Sequence, residues 1–307
     1  MTGKVVVCGV GLIGGSFALA IKAAFACRRE RKSALAGRHD CPRIVGMGRT
    51  RAPLDQALQL GVIDEIATDW EGALKGTDLV LLGMPVGQMP AVMQALVPHL
   101  EPQTIVTDGG STKTDVVAAA RAAFGNRIGQ FIPGHPIAGA ERSGVAAAKA
   151  DLYVGKRVVL TPLPERVPAD VQALRTVWEI CGARISELEP AAHDRVFAAV
   201  SHLPHLLAFA LVAQIAREDD ADRKLSKAGA GFRDFTRIAA SSPRMWRDVC
   251  IANREALAVE LRGYRALLDE LLGALDAGDG AAIEAIFRAA AERFREARAA
   301  VSHLRLM

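Results

Sequence analysis

Gly9, Gly11 and Gly14 stand in the run Gly9-Val10-Gly11-Leu12-Ile13-Gly14-Gly15-Ser16, directly after the β-branched segment Lys4–Cys8 and before the apolar stretch Phe17–Phe25. The glycine spacing alone is a weak signal, but strand, turn and helix in this order build an anion site. Gly9 allows the tight turn, Gly11 lets backbone approach a pyrophosphate, and Gly14 lets the helix pack closely on the strand. The helix N-terminus then offers free N–H groups to the phosphates, with Leu12 and Ile13 carried inside the turn. The chemistry is dinucleotide binding. At the end of the next strand the chain reads Gly46-Met47-Gly48-Arg49-Thr50-Arg51, with Gly48 where an acid would hold a ribose 2′-hydroxyl. Without that carboxylate, Arg49 and Arg51 can bind a 2′-phosphate, and Thr50 adds a hydroxyl. NADP is the expected cofactor. If the arginines are merely solvated, NAD serves as well.

These residues need a scaffold of alternating strands and helices, and the first half supplies the pattern. Strands are predicted at Arg43–Met47, Asp78–Gly83, Thr104–Thr107, Phe131–Pro133, Lys156–Thr161 and Arg184–Glu187. Helices are predicted at Leu54–Leu60, Val86–Leu100, Lys113–Phe124 and Ala169–Cys181. Such alternation implies a Rossmann-type, doubly wound, mainly parallel sheet. Ligands bind such sheets at the carboxyl ends of the strands. Those ends are Gly- or Pro-rich, including Gly83-Met84-Pro85, Asp108-Gly109-Gly110-Ser111 and Gly134-His135-Pro136, and are expected to line one crevice. Met84, Pro85 and Ser111 are therefore further cofactor-contact candidates, and His135 is expected on a strand-end loop beside the nicotinamide. From Ala191 onward helical periodicity takes over through Val196–Ile215, Arg247–Asp276 and Ala281–Leu304. The expected division is a nucleotide-binding domain at 1–188 and an all-α domain at 189–307.

At 307 residues, two domains are the default. Half the residues are hydrophobic, 23% are charged and the net charge is only +4, so composition gives no sign of a nucleic-acid or membrane partner. The basic run Arg28-Arg29-Glu30-Arg31-Lys32 reads as a solvated helix end or loop. Five scattered cysteines without metal-like spacing suit free thiols in a reducing cytoplasm. No apolar stretch reaches membrane-spanning length in this reading, and the N-terminus is the first strand rather than a signal peptide. The chain stops after its last helix, so no appended regulatory domain is expected.

Three segments carry polar groups beyond the fingerprint: Thr107–Lys113, Gly134–Gly144 and Gly229–Ala239. With His193-Asp194 and Ser201-His202-Leu203-Pro204-His205, they resemble the prephenate dehydrogenase family, which includes arogenate and cyclohexadienyl dehydrogenases. The likeness covers nearly the whole chain in order. The pairing of Gly134-His135-Pro136-Ile137-Ala138-Gly139 with Phe232-Arg233-Asp234-Phe235-Thr236-Arg237-Ile238 is its specific part.

The resemblance implies an oxidative decarboxylation in tyrosine biosynthesis. Hydride leaves the ring carbon bearing the 4-hydroxyl for the nicotinamide, and loss of the ring carboxylate as CO2 makes the ring aromatic. His135 matches the residue that takes the hydroxyl proton, a role suited to imidazole. Ser111 matches the serine that hydrogen-bonds the substrate hydroxyl, although it could equally cap the helix beginning near Lys113. Arg237 matches the arginine that binds a substrate carboxylate. Asp234 and Glu141, with Arg142, are read as an ion network orienting or closing the site. His193, His205 and Trp246 correspond to family residues near the substrate, while His202 could be a core residue. The histidines lack a carboxylate or thiolate completing a metal set, so no metal is expected. The family pairs subunits through its helical domain, which predicts a homodimer.

Two other readings compete with this one. A β-hydroxyacid dehydrogenase also joins such an N-terminal domain to helices, but uses a helical-domain lysine as base. A dinucleotide-binding protein without catalysis would bind the cofactor and turn nothing over.

Overall fold

A computed structural model of the chain describes residues 3–31, 41–139 and 142–303. The N-terminal segments fold as expected where β-branched runs are flanked by glycine. β1 (Lys4–Cys8), β2 (Arg43–Met47), β3 (Glu65–Ile66), β4 (Leu79–Leu82), β5 (Ile105–Asp108) and β6 (Phe131–Ile132) form one sheet. Its order is β3-β2-β1-β4-β5-β6, and every pairing is parallel. The strand order reverses beside β1, which places the topological switch point at the glycine turn. β4 and β5 are buried on both faces, as strands covered by helices on each side must be.

The covering helices are α1 (Leu12–Arg31), α2 (Arg51–Gln59), α3 (Trp70–Leu74), α4 (Met89–Leu96), α5 (Thr114–Phe124) and α6 (Pro168–Ile180). One core layer joins Val5, Val7, Phe17, Ile21, Ile44, Leu79 and Leu81 to Trp178 of α6. The opposite layer joins Val6, Val80, Leu82 and Val106 to Met89, Met93 and Leu96 of α4 and to Val116 and Ala120 of α5.

The later strands depart from the expected arrangement. β7 (Gly134–Pro136), β8 (Arg157–Leu160) and β9 (Arg184–Glu187) form a separate three-stranded sheet, with β7 antiparallel to β8 and β8 parallel to β9. His135 therefore sits mid-strand, paired with Val159, and not on a strand-end loop. The chain reverses pairing partner at Pro133, which lacks the N–H needed to continue a ladder.

Helices follow: α7 (Pro190–Phe197), α8 (Leu203–Ile215), α9 (Ala221–Ser226), α10 (Ala230–Thr236), α11 (Pro243–Ala252), α12 (Arg254–Asp276) and α13 (Gly280–His303). The helix expected over Val196–Ile215 begins earlier, at Pro190, and is interrupted by a π-helical turn at Ala198–His202. Pro204 has no N–H to bond the carbonyl four residues back, and its ring crowds that carbonyl, so the preceding turn widens. This run, Pro190–Ile215, is after all long and apolar enough to cross a bilayer, contrary to the sequence reading. Its first turns nevertheless hold buried His193 and Asp194.

Two compact units result, Met1–Ala256 and Leu257–Met307. The second consists of most of α12 together with α13, joined through Gly278 at φ +65°, where Asp279 accepts the Ala282 N–H at 2.9 Å. It exposes Val259, Leu268, Leu272, Leu275, Phe287 and Phe294.

Candidate active site

The glycine turn has the geometry that a dinucleotide requires. Gly9 has φ +89°, and a Cβ there would meet the Gly83 backbone at 2.9 Å. A Cβ on Gly14 would lie 2.3 Å from the Gly9 carbonyl oxygen, so only glycine lets α1 approach β1 this closely. A Cβ on Gly11 would meet nothing within 4 Å. It would project into the open space that phosphates need, next to the α1 N-terminus. The residues present fit a dinucleotide.

Around the second strand end, Gly48 faces Leu54 with ordinary spacing, and exposed Arg49 follows it. Thr50 occupies the N-cap position of α2 without a side-chain capping bond. Arg51 donates to Asp55 one turn on, at 2.7 Å. Gly83 packs on Gly9 and Gly14, placing Met84 and Pro85 beside the glycine turn. Gly109 lies between Ile13 of the turn and Pro136 of β7, which links the cradle to His135.

His135 Nδ1 lies 2.8 Å from His193 Nε2, and His193 Nδ1 lies 2.8 Å from Asp194 Oδ1. Phe197, one turn beyond His193 on α7, covers both rings, with centroids 4.9 and 4.5 Å away. Asp194 also accepts the backbone N–H groups of Lys113 and Thr114, each at 2.8 Å. It thereby caps α5 from 80 residues away, a place that Ser111 does not take: Lys113 is the N-cap residue. Ser111 is half-buried on the connecting turn. At the other end of this turn, buried Asp108 pairs with the Lys113 ammonium and accepts the N–H groups of Gly110 at 2.8 Å and Gly134 at 3.0 Å.

Burial sets the protonation. It holds His135 well below the ordinary imidazole value, with His193, Lys113 and His202 adding to the effect. His193 is lowered by burial too, against the opposing effect of the hydrogen bond it donates to Asp194. Burial alone would raise Asp194, but the hydrogen bonds from His193, Thr114 and Lys113 hold its carboxyl below the usual range. Burial drives His202 down to about 4. Asn253 donates to both the Asp194 carbonyl and His202 Nδ1, at 2.8 and 3.0 Å.

A second cluster adjoins this one. His205 stacks on Trp246 of α11 with centroids 3.6 Å apart, and His202 packs edge-on to the same indole. The buried Trp246 indole nitrogen has no hydrogen-bond partner among the described residues. Burial lowers His205, the Ser201 carbonyl opposes this, and the nearby Arg237 charge lowers it further. Arg237 opens the turn after α10, and Asp234 is exposed on α10 itself. Arg142 is exposed, while Glu141 lies outside the described residues, as does Lys32 of the basic run.

The structure thus brings His135, His193, His202, His205, Trp246 and Arg237 into one continuous neighbourhood. Sequence reasoning named these and quoted Asp108, Lys113 and Asp194 within its motifs without a role for them; it missed Phe197 and Asn253. The adjacency of His193 and Asp194 was visible. Adjacency in the chain does not show that both are buried, and burial is what links them to His135.

Comparison with known proteins supplies a family. Residues 33–187 match a family described as prephenate dehydrogenase, nucleotide-binding domain, and residues 189–289 one described as prephenate dehydrogenase, dimerization domain. A prephenate dehydrogenase of Bacillus subtilis is 36% identical over 84% of this chain, and the chain spans 66% of that protein, just under two thirds of its length. A cyclohexadienyl dehydrogenase of Zymomonas mobilis is 33% identical, over 90% of this chain and 89% of its own. Among solved structures, prephenate dehydrogenase from A. aeolicus in complex with hydroxyphenyl propionate and NAD+ superposes with a TM-score of 0.82 at 33% identity, over 96% of this chain and 98% of that one. The β-hydroxyacid dehydrogenase alternative falls with these matches. By the two family matches, which together cover residues 33–289 apart from residue 188, this chain belongs to the prephenate dehydrogenase family.

Proposed function

We propose that this protein catalyses the NAD(P)-dependent oxidative decarboxylation of prephenate or arogenate, giving 4-hydroxyphenylpyruvate or tyrosine, in tyrosine biosynthesis. The observation that carries the reading is a buried, neutral imidazole, His135, backed by His193 and one residue from Pro136 at the nucleotide cradle. When bound, the nicotinamide supplies the oxidant. Its holders are Gly9, Gly11, Leu12, Ile13 and Gly14 for the phosphates, with Met84, Pro85 and Ser111 at the strand ends. NADP is the preferred form, supported by Gly48, exposed Arg49 and the uncommitted Thr50 hydroxyl.

His135 and Ser111 hold the substrate hydroxyl. His135 accepts its proton as the carbonyl forms, help typically worth about 10²–10⁴-fold. Departure of the ring carboxylate as CO2 leaves its bonding pair in the ring. The carbonyl oxygen becomes phenolic and takes the proton back, which an imidazolium disfavoured by burial gives up readily. Arg237 binds a side-chain or ring carboxylate, and His205 and Trp246 provide an aromatic wall. Asp234 belongs to the ion network around the substrate, to which the resemblance adds Glu141, outside the described residues.

The functional division is 1–188 for nucleotide and 189–307 for substrate and subunit pairing. The apolar faces of Pro190–Ile215, α12 and α13 support a homodimer. The free thiols of Cys8, Cys41, Cys181 and Cys250 suit a cytoplasmic enzyme.

Steady-state assays with both substrates and both cofactors test the reading. Reduced nicotinamide and CO2 are expected in equal amounts with at least one ring substrate. Neither product with either substrate would overturn it.

A further inference from the structure

Asp194 and His193 form a chain ending on His135, and its hydrogen bonds can run in only one direction. An ionised carboxylate only accepts, and Asp194 is held ionised by four groups around it: His193 and Thr114 side chains and the Lys113 and Thr114 amides. The ring proton of neutral His193 must therefore lie on Nδ1, facing Asp194 at 2.8 Å. Its Nε2 is then a bare acceptor, 2.8 Å from His135 Nδ1.

We infer that His193 and Asp194 are positioning residues that fix the tautomer of His135, placing its ring proton on Nδ1 and leaving Nε2 bare to receive the substrate's hydroxyl proton. The inference rests on the reading of His135 as the base. After proton uptake His135 carries N–H groups on both ring nitrogens, and the Nδ1–H still donates to His193, which remains neutral and keeps its own proton on Nδ1, donated to Asp194. One O–H bond breaks and one N–H bond forms, and the same proton returns to the phenolic oxygen. The effect parallels the acid that orients a catalytic histidine in hydrolase triads, with a second imidazole interposed. Phe197 closes this pair off on one side, so water does not offer His135 Nδ1 an alternative partner there.

The two sides of the His193 ring can be removed separately. His193→Asn keeps a donor for Asp194 and deletes the acceptor for His135, whereas His193→Gln keeps an acceptor at the Nε2 position. Nitrogen NMR of the ¹⁵N-histidine-labelled protein reads the tautomer directly, without substrate. In the unaltered protein His135 is expected to be protonated on Nδ1 only. His193→Asn is expected to shift it toward Nε2–H and to lower kcat on the order of 10²-fold with KM and cofactor affinity little changed. His193→Gln is expected to restore the Nδ1–H form and part of kcat. The charged and titratable groups facing the pair are Asp108, Lys113, Asp194 and His202. None of these changes in the two variants, so a difference between their pH profiles belongs to His193. A bare Nδ1 on His135 in the unaltered protein would overturn the inference, as would a His193→Asn variant with unchanged tautomer and kcat. If the unaltered protein turned over neither ring substrate, the reaction assignment would fail while the tautomer measurement still stood.

Discussion

The carboxylate of Asp108 accepts the backbone N–H of Gly134 at 3.0 Å, so the residue before His135 is tied to the end of the nucleotide-binding sheet. The other oxygen of the same carboxylate holds Lys113 and the Gly110 N–H, which anchors the turn carrying Ser111. One buried acid thus fixes the backbone on both sides of the proposed chemistry. β5 ends at Asp108 and β7 begins at Gly134, so the two sheets meet through this side chain.

Asp108 and Lys113 are both fully buried, which makes their pairing costly to break. Asp108→Asn leaves an ammonium without its counter-charge, and such a change typically costs about 3–5 kcal/mol. Replacing both partners, as Asp108→Asn with Lys113→Met, is expected to recover a large part of that loss. Urea unfolding of the two variants checks this. A single-variant loss under about 1 kcal/mol would mean that the pair behaves as a solvated surface bridge.

Arg237 lies close enough to His205 for its charge to depress the imidazole. Arg237→Gln removes a charged hydrogen-bond donor, worth about 1.5–3 kcal/mol when its partner is a carboxylate. KM for the ring substrate is expected to rise roughly 10- to 100-fold with kcat little changed, the mark of lost ground-state binding. His205 is also expected to titrate higher, because the neighbouring positive charge is gone. A fall in kcat at constant KM would remove Arg237 from carboxylate binding.

The parts of this architecture that were legible in the sequence are local. β2 has its expected bounds because it is a short run of β-branched and apolar residues. β9 has its expected bounds too, although Ile185 is the one apolar residue in it. The glycine turn was legible because its steric demands fall on neighbouring residues. β7 was not, since Gly134-His135-Pro136 is too short for alternation and contains a proline. The π turn was hidden because its cause, Pro204, follows it. Asp194 was missed as the cap of α5 because partners 80 and 81 residues apart leave no pattern in the chain between them. Local periodicity therefore gave the cofactor cradle, whereas the wiring of His135 required the folded chain.

Cofactor preference can be shifted at Gly48, where the nearest atoms to an added Cβ are Leu54 carbons at 3.7–3.8 Å. That is ordinary contact, so Gly48→Asp is expected to fold normally. Its carboxylate would accept a ribose 2′-hydroxyl and repel a 2′-phosphate. The ratio of kcat/KM for NAD over NADP is expected to rise tenfold or more, about 1.4 kcal/mol. An unchanged ratio would discard Gly48, Arg49 and Thr50 as the selecting residues.

His135, His193 and His202 are all neutral by burial, which gives stability a direction with pH. In the unfolded chain each imidazole protonates near its ordinary value of about 6.5. In the folded protein each protonates lower, so between the two values the unfolded state binds more protons. Stability is therefore fully present above about pH 6.5 and falls as the solution is acidified. For His202, whose folded value is about 4, the loss across that window is about 3 kcal/mol. Asp194 acts in the same direction lower down, because its carboxyl is held below the unfolded range and protonates last. Urea midpoints measured from about pH 7.5 down to about 4.5 are expected to decline steadily. His202→Gln should flatten part of that decline while lowering stability at neutral pH through its lost bond with Asn253. A midpoint independent of pH over this range would mean that water reaches these rings and that their neutrality does not come from burial.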